Sequence, residues 1–214
     1  ATHICNCVCT QTAAALEDTY ALLHIQTLEM LADAVIHAKR IFLYTNGRST
    51  LAAESLRFRL SRLGIHAQLL TDPGEQLWCA NYAQPDDLFI TFSIWGKYKN
   101  VASCFRRAQT AGAKTAAFTA ALQSPLAQYC TLVIQLAPEP RVFDGHTFSS
   151  IVELTMSDCL YILVGRRLGS SVNIILERTA KSLNLERTDF YDLLPTEYDP
   201  ISGILDLDNT QSHR

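Results

Sequence analysis

Five short apolar runs, at 41–44, 66–71, 88–92, 114–119 and 131–136, recur along the chain with helix-length segments between them. The first, Ile41 to Tyr44, has β-branched and aromatic character and suits a strand buried on both faces. The punctuation agrees with this reading. Ser49 is a suitable N-cap for a helix over 50–63 and Gly64 a stop for it. Asp72-Pro73-Gly74 reads as a turn before a short helix at 75–82, and Pro85-Asp86-Asp87 leads into the third strand. A helix over 98–110 ends at Gly112, and Ser124-Pro125 opens a short helix to residue 129. Strands alternating with helices connect in parallel. The chain is therefore α/β, a doubly wound five-stranded parallel sheet flanked by helices in three layers.

Outside this core, 14–39 reads as one long helix, with Leu16, Tyr20, Leu23, Met30, Leu31, Ala34 and Val35 recurring at three- and four-residue steps. A second long helix covers 147–168 and a third 171–183, after which a tail from Thr188 lacks periodicity. The division is then 1–13 as a leader or linker remnant, 14–186 as the domain, and 187–214 as an acidic tail. From Glu186 onward seven acids face two arginines, so a net −5 sits in the last segment and the preceding residues carry +2 of the overall −3. No strong basic field argues for nucleic-acid binding by this chain itself.

Seven cysteines fit no secreted disulfide framework, and no signal peptide or spanning stretch is recognisable, so a cytoplasmic location without membrane contact is expected. Cys79, Cys104, Cys130 and Cys159 lie in apolar or helical contexts and read as buried thiols. Cys5, Cys7 and Cys9 stand beside His3 at alternate positions, unlike the paired spacing of structural zinc sites, so neither a metal nor a cofactor is expected.

In sheets of this kind ligands bind beyond the carboxyl ends of the strands. Two loops occupy such positions, Thr45-Asn46-Gly47-Arg48-Ser49 and Ser93-Ile94-Trp95-Gly96-Lys97-Tyr98. Each runs from a strand through a glycine into a helix start, where backbone N–H groups and the positive helix end favour an anion. Arg48 and Lys97 could add charge-assisted contacts, and Trp95 could stack on a sugar ring or fill the pocket.

With both loops laid out, the chain resembles a SIS (sugar isomerase) domain of flavodoxin-like architecture. The family's first loop, Gly-x-Gly-x-Ser, is matched by Asn46, Gly47, Arg48 and Ser49 after a threonine; its second, Ser-x-Ser-Gly-x-Thr-x-Glu, is matched at Ser93 and Gly96, with Trp95, Tyr98 and Asn100 replacing the Ser, Thr and Glu. Within that superfamily Leu16-Glu17-Asp18-Thr19, Ala38-Lys39-Arg40-Ile41 and residues 150–160 resemble the effector domain of RpiR-type bacterial transcription regulators, a likeness covering about 14–170. The resemblance implies a dimerising domain that senses a phosphorylated sugar. Ser49 and Ser93 would donate to the phosphate, and Ser149 and Ser150 of a second subunit would close the site. It also implies that DNA is met only through a helix-turn-helix domain, which the 40 residues before the first strand are too few to hold. Two other readings stand beside it: an aldose–ketose phosphate isomerase, for which Glu75, Glu153 and His146 are the available acid–base groups, and a SIS domain used only for association.

Overall fold

The computed structural model describes residues 1–138, 141–142, 146–147, 149–169, 171 and 174. Its central sheet contains β1 (Arg40–Tyr44), β2 (Ala67–Leu70), β3 (Asp87–Phe92), β4 (Lys114–Thr119) and β5 (Leu132–Gln135) in the order β2-β1-β3-β4-β5. Every neighbouring pair is parallel. The chain leaves β1 toward one edge to form β2, returns past β1 to β3, and then proceeds to the other edge. The order therefore reverses between β1 and β3, and at that point the loops after the two strands diverge and open a crevice. Tyr44, the last residue of β1, is in register with Leu70 of β2 and Thr91 of β3, which brings all three carboxyl ends to one level.

Helices cover both faces. On one side α2 (Ile25–His37) and α3 (Thr50–Arg62) both pack against α6 (Ile151–Leu168); on the other α4 (Pro73–Asn81) packs against α5 (Lys99–Thr110). Alternation along the strands distributes side chains between these layers. Phe42, Tyr44 and Phe89 point to the α4–α5 side, where they join Val101, Cys104, Phe105 and Ala108 in one buried cluster. Phe105 meets Tyr44 edge-on at 5.6 Å between ring centres and 89° between planes, and Phe89 at 6.3 Å and 81°. Such contacts add about 0.5–1.5 kcal/mol per pair beyond simple area burial.

Several sequence expectations need correction. The first helix breaks at Leu23 and His24, giving α1 (Thr2–Leu22) and α2, and it begins well before residue 14. Residues 2–13 are thus helical. Nothing in the run to Ala15 carries glycine or proline, and the three cysteines lie on a helix rather than along an extended chain. Leu31, Ala34 and Val35 are buried as expected, whereas Tyr20 and Met30 are exposed. Asp72-Pro73-Gly74 is a helix start, not a free turn: Asp72 Oδ1 accepts from Glu75 N at 2.9 Å and Pro73 takes the first helical position. The last long helix begins at Ile151, because Arg141–Val142 (β6) and His146–Thr147 (β7) pair as a short antiparallel ribbon. Of the four cysteines expected inside, Cys104 is buried and Cys79, Cys130 and Cys159 are half-buried. Burial pushes the Cys104 thiol up to about 11 and the Cys130 thiol up to about 12, which keeps both protonated at neutral pH. The expected helix at 171–183 and the acidic tail lie outside the described residues, apart from positions 171 and 174.

Phe105 joins the α4–α5 layer to the sheet, so Phe105→Ala should lower unfolding free energy by about 3–5 kcal/mol in a denaturant titration. Phe58→Ala, on the exposed side of α3, should change it by less than about 0.5 kcal/mol.

Candidate functional site

The two loops identified from sequence stand side by side at the reversal point between β1 and β3. In the first, Asn46 is extended and Gly47–Ser49 make one 3-10 turn that runs directly into α3. Gly47 adopts φ +64°, a left-handed conformation that an L side chain rarely takes, and a Cβ there would lie 3.2 Å from the Tyr98 hydroxyl. The two loops therefore touch at Gly47 and Tyr98. In the second loop Ser93 O accepts from Gly96 N at 3.1 Å, closing a tight turn, and Ser93 N donates to Phe118 O at 3.0 Å, fixing that turn to β4. Gly96 is also left-handed, at φ +57°, and a Cβ would stand 2.2 Å from Ser124 Oγ. No other residue fits there without displacing Ser124.

Both helices that start at the crevice lack a side-chain cap. Tyr98 precedes α5 and Ser49 precedes α3, and neither side chain bonds a first-turn N–H. The amides at the start of α5 are thus available to an anion, reinforced by the positive end of a 12-residue helix. Beside them Ser93 is buried, and its hydroxyl makes no hydrogen bond to another described residue. Lys97 is exposed, with Nζ 5.9 Å from the centre of the half-buried Trp95 ring, a cation–π pair at the rim.

Ser49 behaves differently from the sequence expectation. Its Oγ donates to Glu153 Oε1 at 2.7 Å, so its proton is directed at a buried carboxylate rather than outward, and it is not the α3 cap. Glu153 is fully buried in the first turn of α6, where the helix dipole favours an acid. Arg48 completes the cluster: Nη1 donates to Ser150 Oγ at 2.7 Å and lies 3.9 Å from Glu153 Oε2. Arg48, Ser49, Ser150 and Glu153 thus fasten the first loop to α6 within one chain. Ser149 Oγ accepts from Ile151 N at 3.1 Å, a local helix-start contact.

Next to the second loop lies an open cleft of about 680 Å³, lined by Trp95, Gly96, Lys97 and Lys99 on one side and by Gln123 and Ser124 on the other. Asn46, Gly47, Arg48 and Ser49 do not line it. The loop after β4 was missed from sequence, although the rule that selected the other two loops applies equally to it; Ser124-Pro125 was read there only as a helix start. The carboxylates considered for isomerase chemistry divide. Glu153 stands at the crevice, whereas Glu75 accepts from Gln68 Nε2 at 3.1 Å on the β2 side; His146 lies in β7. Among the described residues no group of three or more metal-ligating side chains converges, and no helix is long and apolar enough to cross a membrane.

With this geometry in place, comparison with known proteins is informative. The sequence model of the SIS domain matches residues 34–163. An uncharacterized HTH-type transcriptional regulator of Caldanaerobacter subterraneus is 29% identical over 174 residues, covering 81% of this chain and 62% of the relative. The chain spans 60–63% of the length of the first curated relatives it matches. Among solved structures, the sugar isomerase domain of an RpiR transcription factor from Sphaerobacter thermophilus superposes with a TM-score of 0.73 at 22% identity, covering 80% of this chain and 95% of that one. The Vibrio vulnificus NanR protein complexed with ManNAc-6P gives 0.77 at 23% identity, covering 85% and 69%.

The close approach at Gly96 yields a direct test. Gly96→Ala should destabilise the protein by about 2 kcal/mol or more, since a positive φ and a backbone-held clash act together. Ser124→Gly in the same chain, which removes the clashing hydroxyl and Cβ, should recover part of the loss in a thermal melt.

Proposed function

The chain belongs to the SIS domain family, its relatives are HTH-type transcriptional regulators, and from these premises we propose that it is the sugar-phosphate-sensing, dimerising effector part of an RpiR-type regulator. In this reading DNA is met through a helix-turn-helix domain outside this chain, and the protein works in the cytoplasm. One observation carries the ligand class. The uncapped start of α5 lies beside the buried Ser93 hydroxyl, which has no described partner, at the crevice where the sheet order reverses. A phosphate group would take the α5 amides and the Ser93 proton, with Lys97 at the rim and the Trp95 face beside the sugar. Gly47 and Tyr98 would bound the crevice on the other side. Asn46, Arg48 and Ser49 would act through the first loop, with Ser150 steadying Arg48 and Ser149 steadying the start of α6.

The experiment is a thermal-shift titration with ManNAc-6P, unphosphorylated ManNAc and inorganic phosphate. A phosphorylated sugar present at a hundred times its Kd should stabilise the native state by about 2.7 kcal/mol, and the unphosphorylated sugar should do far less. Ser93→Ala should weaken phosphosugar binding by about 1–3 kcal/mol, because it removes a hydrogen bond to a charged group; an unchanged Kd would remove Ser93 from the site.

Glu153 supports a second reading, an isomerase, since it supplies a carboxylate at the crevice, 2.7 Å from the Ser49 hydroxyl. Exchange of the C2 proton of an aldose phosphate bearing a free C2 hydroxyl with solvent, followed by NMR, separates the two: a sensor leaves it in place.

Dimerisation would use the outer side of α1 and α2, where Tyr20, Ile25 and Met30 are exposed apolar residues. Sedimentation should give a dimer, and Met30→Asp should raise its dissociation constant at least tenfold. A wild-type chain that sediments as a monomer at all concentrations would exclude this surface.

A further inference from the structure

We propose that Gln76 is a positioning residue that ties the two ligand loops to each other, so that neither moves without the other. This inference rests on the sugar-phosphate reading for its consequence, though not for the geometry it starts from. Gln76 lies on α4, outside both loops, and is fully buried. Its Nε2 donates to Thr45 O at 3.1 Å and to Leu70 O at 2.8 Å, and its Oε1 accepts from Asn100 Nδ2 at 2.7 Å. Thr45 is the first residue of the first loop. Leu70 ends β2, and Asn100 is the second residue of α5, immediately beyond the second loop.

The orientation of the amide is dictated by its partners. Thr45 O and Leu70 O can only accept, so both must face the NH₂ group, and the carbonyl of Gln76 must then face a donor. Leu70 O also accepts from Thr45 N at 3.3 Å, which joins the ends of β1 and β2 under the same side chain. The Gln76 backbone is pinned as well: its carbonyl accepts from the Tyr44 hydroxyl at 2.7 Å, and its N–H donates to Asp72 O at 2.9 Å. A side chain with both protons engaged, held at both ends of its own backbone unit, has little freedom to follow one loop while releasing the other.

Three elements thus meet at one buried amide, and two of them, the first loop and the α5 start, lead to the two walls of the crevice. A ligand that draws the start of α5 toward a phosphate pulls Asn100, and through Gln76 that displacement reaches Thr45. The Gly47–Tyr98 contact touches the loops at the surface; the Gln76 bridge joins them at the base. Coupling carried by a contiguous hydrogen-bond network of this kind is a physical link between two segments rather than mere proximity.

The test compares Asn100→Ala, Gln76→Leu and the double variant with wild type, with folding checked by thermal melts. Each single change should weaken ManNAc-6P by about tenfold, and the double variant should bind no more weakly than Gln76→Leu alone, because both remove the same link. Amide resonances over 46–49 in the ligand-free protein supply the second readout. Asn100→Ala should shift them, and should not shift them further in the Gln76→Leu background. Folded variants that bind as wild type, or losses that multiply, would overturn the proposal, as would an Asn100→Ala spectrum unchanged at 46–49. If Gln76→Leu does not fold, the half-exposed Asn100→Ala decides the matter alone. Should wild type bind neither ManNAc-6P nor inorganic phosphate, the ligand reading fails, while the resonance comparison still decides whether the loops are coupled.

Discussion

A sheet whose strands all run parallel must have both faces covered, since each strand is reached by a crossover that lays a helix on one face or the other. Here the crossovers from β1 to β2 and from β2 to β3 fall on opposite faces, and the sheet order reverses between β1 and β3. Everything chemically interesting in the molecule follows from that reversal. It parts the loops after β1 and β3 and aims the starts of α3 and α5 at the gap. The aromatic cluster of Tyr44, Phe89 and Phe105 holds the α4–α5 layer against the strands that end at the gap. The core and the site are thus adjacent parts of one construction.

Within the crevice two kinds of charge stand close together. The α5 start and Lys97 favour an anion, while Glu153 is a buried carboxylate fastened by Ser49 and Arg48. The carboxylate lies on the α6 side, so an anion is best received on the α5 side, next to Ser93. On the proposed reading, that asymmetry would orient a phosphosugar with its phosphate toward α5 and its hydroxyls toward the first loop. Hydroxyl groups would suit the second half because they are neutral and can donate to a carboxylate, whereas a second anion would be repelled by it.

How much of this could be read from sequence depends on the range of the interactions. The five strands and most helices were legible because apolar runs and caps are local signals. The two loops were legible because a glycine between a strand and a helix is local too. Asp72 reads as a turn because Asp-Pro-Gly suits both a turn and a capped helix start, and only the following helix decides between them. The break at Leu23 and His24 carries neither glycine nor proline, so no local residue announced it. Ser49 is the clearest failure. As a serine before a helix it should cap, yet a carboxylate 104 positions away takes its proton. Ser150 and Glu153 even form the spacing of a capping box, which Ser150 does not use: its side chain makes no cap hydrogen bond. Long-range polar partners of this sort leave no periodicity behind.

Gln76 belongs to the same class, and on the proposed reading it would make the first loop part of a sensor and not only part of a pocket. That loop is held from two layers at once: from the α4–α5 side by the Gln76 amide at Thr45, and from the α6 side by Glu153 and Ser150 at Ser49 and Arg48. A ligand gains regulatory effect only through a difference in its affinity for two arrangements of the protein. A loop fastened on one side could adapt to a ligand by itself and leave the rest unchanged. Fastened on both, it can adapt only if the α5 start or the α6 start adapts with it. On the proposed reading, occupancy of the crevice would in this way be converted into relative movement of helices on opposite faces of the sheet, and a movement of that kind would alter how two copies of the domain meet.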